Sequence, residues 1–175
     1  MHLDRTGLPV TYLAPTIFME NLLEAADTIR DQGTIFAPAA QARIAFVAVS
    51  DVAKVAARVL TSDGHEDMTY VLTGPESLSY VDVAARVSAV FARQVDYEDM
   101  PEQIAMEQML ASGLSQWQAD GTTELYDWIR QGGAKTVTSS VRDLTGQEAR
   151  PIDDWLSEMR AQFLLPVAER RQSPF

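Results

Sequence analysis

The sequence predicts an α/β fold closed by a helical cap, and three observations predict it. Strand-like and helix-like segments alternate through residues 1–100. Residues 101–175 are helical in pattern almost throughout. Both connections between the buried strand-like segments are of helix length, as a crossover between parallel strands requires.

The chain has 175 residues, which is enough for one sizeable core and sets the expected domain count at one. At 46% hydrophobic and 22% charged residues its composition is that of a globular protein and not of a disordered one. It contains no cysteine, so disulfides, thiolate catalysis and cysteine metal sites are excluded, and the redox compartment is left open. The formal net charge is −11, a field that repels a phosphate backbone, so no nucleic-acid partner is expected. No apolar run approaches the ~20 residues that span a bilayer. MHLDRTGLPV is not a signal peptide, so no membrane association is expected and the default location is cytoplasmic.

The chain is organised around Pro9 to Leu23. Val10 to Leu13 reads as a short buried strand, Ala14-Pro15 as a turn, and a helix starts near Ile17. Such a corner lies at the carboxyl edge of a sheet, where open α/β sheets bind ligands. Upstream, residues 1–8 resemble the last turn of a helix closed by Gly7 as a left-handed cap. Downstream, apolar residues at 18, 22, 25, 26 and 29 give helical spacing as far as Arg30, and Gly33 stops the helix. Thr34 to Pro38 is a short extended piece, and Arg43 to Val49 reads as another buried strand.

Ser50 is placed to cap the next helix, whose apolar face is Val52, Val55, Ala56, Val59 and Leu60. Met68 to Thr73 is rich in β-branched and aromatic residues and reads as a strand. Ser79 to Asp82 fits an acidic capping box, followed by a helix to about Ala92 with Val83, Val87, Val90 and Phe91 inward. Val95 to Met100 is extended, an edge-strand candidate. Pro101 opens a helix to Gly113. Helical patterns follow over Thr122–Gln131, over Ser140–Thr145 closed by Gly146, and from Pro151 with Trp155, Leu156, Met159 and Phe163 inward. The tail after Pro166 is charged and expected to fray.

Most catalytic signatures are absent from the sequence. The nine glycines form neither G-x-G-x-x-G nor a P-loop, and no serine sits in G-x-S-x-G. No tyrosine precedes a lysine by four residues; Tyr126 with Arg130 is the nearest spacing, and both read as boundary or surface residues. His2 and His65 have no partners at believable metal-ligand spacing, so no metal is expected. The remaining candidates are Thr16, Phe18, Met19 and Asn21 at the corner. Phe18 and Met19 also read simply as core, and Asn21 as an exposed helix residue. Trp117 and Tyr126 are candidates for lining a pocket under the cap, with aromatic core the simpler account.

LPVTYLAPTIFMENLL is similar to the strand–turn–helix of the NmrA-like family, atypical short-chain dehydrogenase relatives that include NAD(P)H-dependent quinone reductases and redox-sensing regulators. The resemblance continues through RIAFVAVSDVAKVAARVLTSDGHEDMTYVLTGPESLSYVDVAARVSAVFARQVDYEDMP and into the late GLSQWQADGTTELYDWIRQGG and VRDLTGQEARPIDDWL, which resemble the helical cap of the quinone-reductase branch. It covers nearly the whole chain.

The resemblance implies the second half of a Rossmann-like NAD(P)-binding fold, with residues 1–100 as the α/β part and 101–175 as the helical, substrate-side cap. It implies an oxidoreductase whose cofactor is NAD(P)H and whose substrate is a small, quinone-like molecule. Pro15, Thr16, Ile17 and Phe18 would lie against the nicotinamide end, with Asn21 just behind. The family's strand ends in Arg-Pro where this one has Ala14-Pro15, and its glycine-rich phosphate loop belongs to a half that this sequence does not contain. Tight dinucleotide binding by this chain alone is therefore not expected. A non-catalytic redox-sensing or partner-binding protein, and an inactive truncated product, stay open as alternatives. An unpaired sheet edge and exposed apolar surface are expected, covered in the binding-module reading by a homodimer or a partner chain.

Overall fold

The computed structural model describes residues 7–165. Its elements run β1 (Tyr12–Pro15), a 3-10 helix at the corner (Met19–Ala25), α1 (Ala26–Gln32), β2 (Thr34–Ala37), α2 (Val49–Thr61), β3 (Thr69–Leu72), α3 (Tyr80–Phe91), β4 (Asp96–Asp99), α4 (Glu102–Ala111), α5 (Gln116–Arg130), α6 (Ser140–Thr145) and α7 (Ile152–Leu164). Residues 1–6 and the tail after Pro166, for which sequence expectations exist, lie outside the described residues. Gly7 has the left-handed conformation expected of it, with φ +69°.

The strands form two parallel pairs. β1 pairs with β3 from Tyr12↔Thr69 to Pro15↔Leu72, and β2 pairs with β4 from Thr34↔Asp96 to Ala37↔Asp99. The edge strand expected at Val95–Met100 is thus β4. β1 extends through the residues expected to form a turn. Tyr12 N–H and Thr16 N–H donate to Met68 and Leu72 carbonyls on the β3 side. By alternation Pro15 has its nitrogen on the opposite edge, where a missing N–H costs no ladder bond.

Of Arg43–Val49, residues 44–48 are buried as expected, but the segment is not a strand. Its backbone is divided among separate partners. Ile44 and Leu78 exchange N–H···O bonds of 2.8 Å each, Ala45 N–H donates to Ala134 O, and Val47 bonds Ile17 O and Met19 N–H. Each residue therefore serves a different neighbour, and no continuous ladder forms beyond the isolated bridges Ile44↔Leu78 and Phe18↔Val47. The helix expected from Ile17 is also modified. Ile17 and Phe18 remain extended, because the Ile17 carbonyl and Met19 N–H are engaged by Val47, and a 3-10 turn leads into α1.

Two capping expectations resolve differently. Ser79 and Asp82 form the reciprocal capping box of α3. Ser50 does not cap α2, which begins one residue earlier; there the Val49 N–H donates to both carboxylate oxygens of Glu20, at 3.2 and 3.1 Å. α5 begins well before Thr122, at Gln116, started by a second capping box of Ser115 with Gln118.

The main core joins the corner to the last helix. Met19, Ile29, Ile35, Ile44, Phe46, Trp155, Leu156 and Phe163 are all buried in it, and α7 packs on α1 and α3. Phe163 meets Phe91 and Trp155 at centroid distances of 5.3 and 5.9 Å, the spacing of favourable aromatic pairs. A second, smaller cluster of Val55, Leu72, Val141 and Ala149 holds α2, β3 and α6 together.

Candidate functional site

The corner is rigidly built. Thr16 donates its hydroxyl to the Ala45 carbonyl and its N–H to Leu72 O at 3.0 Å, so its polar groups are committed to the scaffold. Ile17 is buried and bonded through its carbonyl to Val47. Phe18, extended at φ −71° and ψ 140°, is half-buried and accepts the Asn21 N–H at 3.2 Å. Met19 is core, at 1% exposure. Asn21 is exposed, on the first turn after the corner.

Behind that turn lies a cavity of about 340 Å³. Asn21, Glu24 and Thr28 line one side, Ile35 to Pro38 and Tyr80 the floor, and residues of α4 and α5 the far wall. Asn21 therefore faces both features: it follows the corner and it lines the cavity. Among the lining groups Tyr80 and Tyr126 stand out. Burial pushes both phenols up, and the neighbouring Tyr126 raises Tyr80 further. Tyr97 stacks on Tyr80 at 5.5 Å and is itself held protonated by burial and by Asp99.

No family model matches the chain. Individual proteins do match it. The chain is 32% identical over 160 residues to an NAD(P)H azoreductase of Xenophilus azovorans, covering 91% of this chain and 56% of that protein. It is 32% identical over 169 residues to agroclavine dehydrogenase of Claviceps fusiformis, covering 94% and 58%. An NADPH-dependent quinone oxidoreductase of Escherichia coli, solved with NADPH, superposes with a TM-score of 0.80 at 24% identity, over 91% of this chain and 56% of that one. The chain is similar in sequence to these NAD(P)H-dependent reductases, and its fold is also like that of NmrA. It spans a little over half the length of the reductases it matches. Its fold is the corresponding part of their NAD(P)-binding, Rossmann-like architecture.

Within this fold, the corner residues expected at the cofactor divide. Phe18 and Asn21 retain accessible side chains, whereas Ile17 and the Thr16 hydroxyl are spent on packing and bonding. Of the two aromatic pocket candidates, Tyr126 lines the cavity. Trp117 does not: it is 83% exposed on the outer face of α5. Arg130, four residues after Tyr126, clamps the Pro38 carbonyl at 2.7 Å and Glu102 at 2.6 Å, tying α5 to the end of β2 and to α4. Glu24 and Tyr80 were missed from the sequence. Tyr80 sits one residue past a recognisable cap, where it reads as the start of a helix face, and no local pattern marks it as facing a cavity.

Proposed function

We propose that the chain supplies the nicotinamide end and the acceptor side of an NAD(P)H-dependent oxidoreductase of the quinone-reductase type. The observation that carries this reading is the position of Asn21, shared between the corner and the cavity. A reductase needs a cofactor ring and an acceptor side by side, and this residue links the two places where they would lie.

The corner fits the nicotinamide end of the cofactor and not the rest of it. Phe18 offers a half-buried ring face and Asn21 an exposed amide. The sequence has no glycine-rich loop to cradle a pyrophosphate, so its own residues hold only one end of a dinucleotide. The cofactor supplies hydride chemistry when bound. The chain orients the ring at Phe18, positions the acceptor, and excludes water with the buried floor of the cavity. Residues 1–100 form the cofactor side, and residues 101–175 close the cavity through Ala105 and Tyr126.

Titration calorimetry of the monodisperse chain with NADPH and NADH tests the reading. Weak but saturable binding is expected, weakened further at least about fivefold by Phe18→Ala or Asn21→Ala, the weight of one lost contact of ~1 kcal/mol. A folded sample that binds neither nucleotide overturns it.

A further inference from the structure

Helix α5 has two faces with opposite uses. Ala119 and Ile129 are buried, and Thr122 and Tyr126 line the cavity. On the other side Trp117, Gly121, Leu125 and Trp128 recur at i, i+4, i+8 and i+11, so they form one stripe about 16 Å long. Trp117 is 83% exposed, Trp128 44% and Leu125 39%, and nothing lies within 4 Å of a Cβ added at Gly121. The stripe is therefore two indoles and a leucine around a notch. Both indoles stand on fixed backbone. Trp117 belongs to the turn closed by the Ser115–Gln118 capping box, and the Trp128 ring lies against Gly133, where an added Cβ would stand 2.1 Å from it. Exposed apolar surface of roughly 400 Å² on one rigid helix face is of the size that marks an interaction surface.

We propose that this stripe is the contact between two copies of the chain, paired antiparallel along α5 about a two-fold axis near Thr122 and Thr123. The order of the residues chooses the occupant. Antiparallel pairing about that point sets Trp117 opposite the partner's Trp128 and Gly121 opposite the partner's Leu125, and symmetry repeats each pair. A leucine thus meets a notch of its own making in the other copy. The missing side chain lets the two helices approach to about 8 Å, the short end of helix packing distances. Area sets the strength. With its polar rim the contact covers on the order of 1,000 Å², the low end of specific interfaces, so the dimer is weak and concentration-dependent. Charge opposes it. Asp120 and Glu124, both exposed, flank the stripe on one side. The two-fold axis brings the two acidic flanks to the same side of the contact, and each copy carries a net charge of −11. Salt therefore strengthens the dimer by screening that repulsion. The proposal is independent of the reductase reading, since the pairing needs no nucleotide.

Sedimentation velocity of the full chain, from low micromolar to near-millimolar concentration and at low and high salt, tests the proposal. A monomer–dimer equilibrium with a Kd on the order of 100 μM is expected, tightening as salt is added. Trp117→Gln removes an anchor from both ends of the contact and is expected to weaken it at least about tenfold. Gly121→Leu is the deciding variant. It adds apolar surface to the stripe while filling the notch, so general stickiness would tighten association, whereas the notch pairing predicts a loss of at least about tenfold. Leucine is a good helix former and the position is open, so the variant keeps its fold, which a thermal melt verifies. Glu124→Gln is expected to tighten the dimer severalfold. Leu60→Gln, at an 84% exposed leucine of α2 away from the stripe, is expected to leave it unchanged. A monomer at every concentration assigns the stripe to some other occupant and overturns the proposal. So does a dimer that Gly121→Leu leaves alone or tightens, or one that salt dissolves.

Discussion

The indole Nε1 of Trp155 donates to Oε1 of Glu20 at 3.1 Å, across 135 positions of sequence. The same carboxylate caps α2 through the Val49 N–H. One side chain on the corner helix thus closes the start of α2 and satisfies the buried indole of α7. Glu20→Ala is expected to remove the cap and orphan the indole together, costing about 2–3 kcal/mol in urea unfolding. Glu20→Gln keeps an acceptor and is expected to cost less than half of that. Equal losses in the two variants would mean that packing, not hydrogen bonding, is what Glu20 supplies.

Asp51 makes a second long-range tie. It is 1% exposed, accepts from Lys54 Nζ at 2.9 Å, and accepts the Arg150 backbone N–H at 2.6 Å. Asp51→Ala strands that N–H and is expected to cost about 3 kcal/mol. Asp51→Asn retains an oxygen for Arg150 and is expected to cost about half as much, read by the same denaturant titration.

Gly74 and Gly121 should respond to alanine in opposite ways. A Cβ at Gly74 would stand 1.9 Å from the Phe46 carbonyl oxygen, backbone against backbone, so Gly74→Ala is expected to abolish soluble folded protein, a loss above about 4 kcal/mol. Gly121 lies within α5 with nothing within 4 Å of an added Cβ, so Gly121→Ala is expected to stabilise by about 0.5–1 kcal/mol through helix propensity. A thermal melt of each variant reads both signs.

The α3 cap carries a pH signature. The Ser79 backbone N–H, then its hydroxyl, hold the Asp82 carboxyl below its ordinary value of 3.8, with Arg43 assisting. A carboxyl depressed in the folded state contributes stability in full above its unfolded value and loses it as pH falls through the folded one. Asp82→Asn is therefore expected to cost about 1 kcal/mol at pH 7 and progressively less as pH drops below about 4. A pH series of unfolding curves whose difference stays constant would contradict this.

The sequence made some of these features legible and hid others for physical reasons. Caps are local, so Ser79–Asp82 and the Gly146 stop with φ +73° were readable from a few residues. The Ser115–Gln118 box was equally local, and its S-x-x-Q spacing was there to find. Glu20 as the cap of α2 was not readable, because its partner is 29 positions away. The apolar run at Arg43–Val49 announced the burial of residues 44–48, yet burial does not specify which backbone partner each residue takes. At the candidate site, resemblance points to the corner, and poor helix propensity singles out Asn21. Tyr80, Tyr126 and Glu24 come from three separate segments, and only the assembled chain brings them to one wall.

Ile44, Ala45 and Val47 each depend on a different distant segment: the stretch before α3, the turn after α5, and the corner. Their amides gain protection only once all three have docked. In hydrogen–deuterium exchange they are expected to be the slowest of the chain, opening with the whole molecule rather than with any local unit. In folding they are expected to be late, since three loop closures must precede their bonds. This buried thread is then less a sheet element than a lock, set last and released last, that makes the unfolding of corner, cavity and cap a single event.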